Sequence, residues 1–280
     1  MGSVDSHEDG LDNRAPVAFL RAIQVAERDL DREVNRLLST DLLGVRAKGY
    51  WGALSQGTEL LGAVASCRYG CLSENHEVEN VIRRLAKSVL ASLLLIRSGY
   101  VDESLSILRT AAEHLNLLQL FSVDKDVLAK WALADDRIRR NEYSPIKVRL
   151  KLESGGAQPD YSEAAYAALC TPYVHAVPLR EQQAHSLSAG SKFYVGPVFP
   201  VPGIACVFTE AGYCVGRALL RVDELFELPP DHQESSKRIA QALVMLVGKG
   251  EMRAEHYPGV LADRPWEVKK ADRGSRAGHA

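Results

Sequence analysis

From Val101 to Phe121 the apolar residues return every three or four positions, and little but a helix can use that spacing. At about 100° per residue, Val101, Leu105, Leu108, Ala111, Ala112, Leu115 and Leu118 fall on one broad arc, wide enough to face a core. Asp102, Ser106, Arg109, Glu113 and Asn116 recur along the edge of that arc. Leu117, Leu120 and Phe121 interrupt the polar face, so the last turns should be buried all round. Arg109 and Glu113 stand four apart, where side chains on a helix meet. The pair reads either as a solvated ion pair or as a half-buried one lining a pocket.

The same period runs through most of the chain. Helices are predicted over 14–40, 45–67, 77–98, 101–121, 125–144, a short stretch from Pro145, 162–171, 203–228 and 235–248. Pro16 and Pro145 suit first turns. Gly99 suits a C-terminal cap, with Asp102 capping the helix that follows, and so short a link predicts a helical hairpin. Gly49, Gly52, Gly57 and Gly62 weaken their helix and either admit close packing or mark a kink. Pro197 and Pro200 keep the run near 190–202 out of a central strand and leave it an irregular, extended insertion. The expected fold is an all-α, antiparallel helical bundle of about eight helices. Its expected organisation is a disordered leader over 1–13, one domain over 14–257 with a sub-boundary near 155–160, and a disordered tail over 258–280.

Composition narrows the function classes. A net charge of −2 offers no overall basic excess for nucleic acid, and aromatic residues at 7% make a poor base-stacking platform. Five cysteines without repeating spacing read as reduced thiols, which suits the cytoplasm. Glu210 and Arg217 interrupt the longest apolar run, so no membrane span is expected.

Phosphate-cradling glycine loops, H-E-x-x-H and G-x-S-x-G are absent from the sequence. Cys67, Cys71 and His76 form C-x3-C-x4-H without an evident fourth ligand, so inert cysteines are expected and no metal or other cofactor. Two spans fit R-x4-H: Arg109 to His114 and Arg180 to His185. Five residues turn about 140° around a helix, which sends Arg109 and His114 to opposite flanks of the apolar arc. Tyr173 and His175 follow the helix-breaking Pro172, where the chain can leave helical geometry. His175 is either a core histidine bonded to a carbonyl or carboxylate, or a partner of Arg109 and Glu113 across the bundle.

The run L-x-R-S-G-Y-x-D-E-S-L-x-I-L-R-T-A-A-E-H, with the later Y-x-x-L-C-x-x-Y-V-H-x-x-P, resembles a bacterial helical family of unknown function. That family is similar in turn to HEPN-type bundles, which include abortive-infection and toxin ribonucleases. The likeness covers about residues 45 to 180. It implies Glu103, Arg109, Glu113, Tyr166 and His175 as motif residues, with Cys170 where the family often has serine. It further implies RNA as a partner, a homodimer, and metal-independent RNA binding or cleavage in stress or phage defence. In that scheme Arg109, Glu113 and His175 are catalytic: Arg109 stabilises the phosphate, Glu113 orients Arg109, and His175 or His114 is the base. Glu103, His114, Tyr166 and Tyr173 are expected at the binding surface. The residues alone leave another reading open, a non-catalytic bundle that binds a partner protein or small ligand.

Overall fold

A computed structural model describes residues 14–39, 47–170 and 201–248. Among these the chain is all-α: ten helices and no strand. They are α1 (Arg14–Ser39), α2 (Ala47–Ala65), α3 (Glu77–Arg97), α4 (Val101–Val123), α5 (Lys125–Leu133), α6 (Asp136–Glu142), α7 (Pro145–Ser154), α8 (Glu163–Cys170), α9 (Val201–Leu225) and α10 (Pro230–Gly248). The leader, the tail and the run near 190–200 lie outside the described residues; Val201 already belongs to α9.

α9 is the axis of the fold. It packs against α2, α3, α4 and α10, and its Val207, Phe208, Ala211, Cys214, Val215, Ala218, Leu219 and Val222 are buried. By length and composition, Gly203–Leu225 could cross a membrane, which corrects the expectation that no stretch reaches that length. Yet 78% of its most apolar window is buried inside the protein, as a core helix requires. Glycines set how closely its neighbours approach. A Cβ on Gly57 of α2 would lie 2.6 Å from Val215 Cγ1, and one on Gly212 would lie 1.7 Å from Tyr50 Oη. Gly52 and Gly62 face open space, so of these glycines Gly57 is the one that closes the packing.

α3 and α4 make the most extensive helix pair, the hairpin expected from Ser98-Gly99. Gly99 takes a φ of 85°, and the Tyr100 and Gly99 amides donate to the Leu95 and Ile96 carbonyls. This is a Schellman turn. It consumes the whole link, so α4 starts at Val101 behind Tyr100, which makes no side-chain cap. Asp102 is therefore no cap; it sits in the first helical turn, where its charge suits the helix dipole.

The expected helix over 125–144 is two. Asp124 accepts the Val127 amide at 3.0 Å to start α5, and Asp135 accepts the Ile138 amide at 2.7 Å to start α6. The second of these competes with a continuous helix at Ala134. This break adds one helix to the nine predicted segments and brings the described total to ten, against a bundle expected to have about eight. α7 spans Pro145–Ser154, the stretch that Pro145 and Gly155-Gly156 predict. Ser162 caps α8, its hydroxyl accepting the Ala165 amide at 3.3 Å.

Candidate functional site

Arg109 and Glu113 meet as their spacing predicts, Arg109 Nε donating to Glu113 Oε1 at 3.0 Å. The side chains are 29% and 23% exposed, so the pair is half-buried. What shields it is α8. Tyr166 lays its hydroxyl on Glu113 Oε1 at 2.5 Å and stands between two guanidiniums, Arg149 at 4.7 Å and Arg109 at 5.8 Å from its ring centre. Sequence proposed Arg109, Glu113 and Tyr166 together, and the structure brings them together. It also adds Arg149, buried on α7, whose Nη1 has no hydrogen-bond partner among the described residues. Glu103 is exposed at the start of α4, away from this unit. His175, Tyr173, Arg180 and His185 lie outside the described residues.

Beside the unit runs a groove of about 660 Å³, whose walls include Arg84, Glu113, His114, Trp131, Arg139 and Tyr143. Glu113 is the link: it faces the groove while holding Arg109 and Tyr166, neither of which lines it. Arg109 and His114 thus stand on different sides of α4, as the 140° between them requires. His114 Nδ1 lies 2.6 Å from the Thr110 carbonyl. A carbonyl only accepts, so Nδ1 carries the proton and Nε2 is the basic nitrogen of the neutral ring. Burial holds His114 below the ordinary histidine value, against the opposing pull of Thr110 and Glu113. The ring is therefore neutral near pH 7.

Arg139 is preset on the same groove. It donates to the Ala132 carbonyl at 2.8 Å, to the Trp131 carbonyl at 3.2 Å and to Glu77 at 3.3 Å, with its guanidinium 4.8 Å from the Trp131 ring centre. Arg84 and Arg140 are exposed on the same groove. Three carboxylates, Glu77, Glu113 and Asp136, balance these three cations. Sequence reasoning passed over Arg84, Arg139 and Arg140 because α3 and α6 each look like an ordinary charged helix face.

A second polar assembly was invisible in the sequence. The chain between α7 and α8 is held from both sides. On the α4 side, Asn116 and Gln119 are buried, where the helical wheel put Asn116 on a solvated edge. Asn116 exchanges two bonds with the Tyr161 backbone, at 2.9 and 2.8 Å. Gln119 donates to the Gln158 carbonyl and accepts from the Asp160 amide, at 2.8 and 2.7 Å. On the α9 side, Asp160 receives Arg217 Nε at 2.6 Å and Arg221 Nε at 2.9 Å. Below them the Tyr161 hydroxyl donates to Glu210 at 2.6 Å and lies 3.2 Å from Cys214 Sγ. Burial pushes Glu210 up from the usual carboxylate range and Tyr161 well above the usual phenol value. This block anchors α8, which carries Tyr166. The signal available in sequence was Arg217 and Arg221, one turn apart in an apolar helix, which demands a buried acid somewhere.

Cys67, Cys71 and His76 also converge. Their donor atoms all lie within 4.8 Å of one another, with Cys67 Sγ 3.2 Å from His76 Nδ1. The Cys67 sulfur, then burial, then the charge of Glu79 push the Cys71 thiol up to about 11. Cys71 is thus no ready thiolate nucleophile. No protein-family model, curated protein or solved structure matches the chain.

Proposed function

We propose that this is an antiparallel HEPN-like bundle that holds RNA along the groove between α3, α4 and α6 and cleaves it without a metal ion. One observation carries the reading: a half-buried, neutral histidine with a defined tautomer shares a groove with Arg84, Arg139 and Arg140. His114 Nε2 takes the proton from a ribose 2′-hydroxyl, and the 2′-oxygen attacks the adjacent phosphorus. The bond from phosphorus to the 5′-oxygen breaks, leaving a 2′,3′-cyclic phosphate and a 5′-hydroxyl that takes its proton from water. Arginines on the walls stabilise the charge on the phosphoryl oxygens. Arg109 acts through Glu113, which it and Tyr166 hold in place, and is a positioning residue. A second copy of the chain, acting in stress or phage defence inside the cytoplasm, fits the same scheme.

The test is cleavage of a labelled RNA by purified protein in chelator. Wild type should yield 2′,3′-cyclic phosphate ends, and His114→Asn should lose at least ~100-fold in rate, the usual span for general base catalysis. Arg84→Ala with Arg140→Ala should weaken RNA binding and flatten its salt dependence. RNA left intact at every pH and salt concentration would sink the catalytic reading.

One observation favours the non-catalytic alternative. The equal numbers of cations and carboxylates on the groove walls suit a zwitterionic ligand or a partner protein's mixed surface better than a polyanion. Under that reading His114→Asn changes binding of the partner and no RNA chemistry is seen.

A further inference from the structure

α2, α3 and α7 end in the same turn. In each, two successive backbone amides reach back to carbonyls of the last helical turn, and the first of the two residues takes a left-handed φ: Gly99 after α3 at 85°, Gly156 after α7 at 79°, Cys67 after α2 at 59°. Glycine is the default there because a Cβ crowds the backbone. α3 and α7 follow that rule and α2 does not. A cysteine at this position aims its sulfur where glycine has nothing. His76, the residue before α3, repeats the pattern with a φ of 57°. The two crowded residues are the ones whose Sγ and Nδ1 stand 3.2 Å apart, and Cys71 Sγ completes the triangle.

A separate observation points at a ligand. Glu79 is fully buried in the first turn of α3. Its Oε1 accepts the Leu72 amide at 2.7 Å, directly after Cys71, while Oε2 is buried with no hydrogen-bond partner among the described residues. A buried carboxylate oxygen without a donor is costly unless a cation faces it.

We propose that Cys67, Cys71 and His76 bind one thiophilic divalent cation of the zinc class, with the buried Glu79 carboxylate as its charge-balancing neighbour and the fourth position left to solvent. Tetrahedral zinc, with bonds of about 2.0–2.3 Å, needs its sulfur and nitrogen donors about 3.5–3.8 Å apart, a spacing the 4.8 Å triangle reaches with small side-chain shifts. Binding releases the two thiol protons to solvent, and two thiolates and a neutral imidazole hold the ion, with the Glu79 carboxylate balancing its charge from behind Cys71. The ion clips the end of α2 to the start of α3 and so fixes Glu77, the next residue, which holds Arg139 in the groove. The site stands apart from any reaction in that groove and does not depend on it.

The probe is cobalt(II), titrated into full-length protein stripped by chelator and kept reduced with a phosphine. Wild type should take up one equivalent, with a thiolate-to-cobalt charge-transfer band and the visible bands of four-coordinate cobalt, both bleached by zinc. Cys67→Gly restores the residue this turn prefers, so the stripped variant should melt no lower than stripped wild type and yet lose the band. His76→Asn, which tolerates the same φ, should lose it too. Glu79→Gln keeps the shape and should weaken binding 10- to 100-fold. Stoichiometric zinc by elemental analysis of protein purified without chelator should agree. A reduced wild type that shows no band, or a folded Cys67→Gly that binds like wild type, overturns the site.

Discussion

Replacing Asp160 with asparagine tests the block that anchors α8. The carboxylate is 1% exposed and faces two guanidiniums, Arg221 at 11% and Arg217 at 26% exposed. Asparagine keeps the shape and the backbone bond to Gln119 but leaves both cations without their common counter-charge. Breaking a buried ion pair on one side costs about 3–5 kcal/mol. Arg217 reaches solvent and Arg221 retains Glu224 at 2.9 Å, so the lower end applies, about 3 kcal/mol. For a chain of this size that is a fall in Tm of about 6–12 °C. Thermal melts by circular dichroism and urea unfolding at unchanged m-value would read it. Arg221→Met alone should also destabilise. The double variant Asp160→Asn with Arg221→Met should cost less than the sum, because the orphaned cation has gone. A loss under 2 °C in the single variant, or full additivity in the double, refutes the idea that these charges hold the fold through one another.

Three further outcomes are expected. Glu210 has its carboxyl raised by burial, so the folded state holds that proton more tightly than the unfolded chain; stability should fall as pH climbs from the ordinary glutamate value of 4.5 through the folded value. Glu210→Gln should remove that slope and raise Tm more at pH 8 than at pH 4.5. His114 is shifted the other way, so the acidic limb of any groove activity should lie below the ordinary histidine value of 6.5, seen in a pH–rate or pH–affinity profile. Gly212→Ala drives a methyl into Tyr50 and breaks its 2.8 Å bond to the Phe208 carbonyl; a loss of about 2–4 kcal/mol should appear in chemical unfolding.

Helix content was legible because it rests on local periodicity. The hairpin at Ser98-Gly99, the start at Pro145 and the cap at Ser162 each follow from residues within one turn of the feature. The same locality delivered the Arg109–Glu113 pair. What the sequence hid depends on convergence over long separations. Asn116 sits on the polar edge of the helical wheel, and although the last turns of α4 were expected to be buried, nothing nearby says that the chain some 40 residues on will take up Asn116 and Gln119 as partners. Asp160 looks like a loop acid until Arg217 and Arg221 arrive from α9. Cys67 was read as inert for a different reason: cysteine is not a turn-forming residue, so the left-handed backbone that aims its sulfur at His76 left no mark in the sequence.

The place of α9 at the centre bears on how the chain acquires its structure. α2, α3 and α4 adjoin in sequence and can pair early, since little entropy is lost in closing short connections. The member that fills the space among them begins only at Val201. On the ribosome, the first helices therefore emerge with their oily inner faces unfilled and wait through the synthesis of about 80 more residues. A nascent chain stalled before Val201 should consequently present a sticky, chaperone-seeking surface, and one released after Leu225 should not.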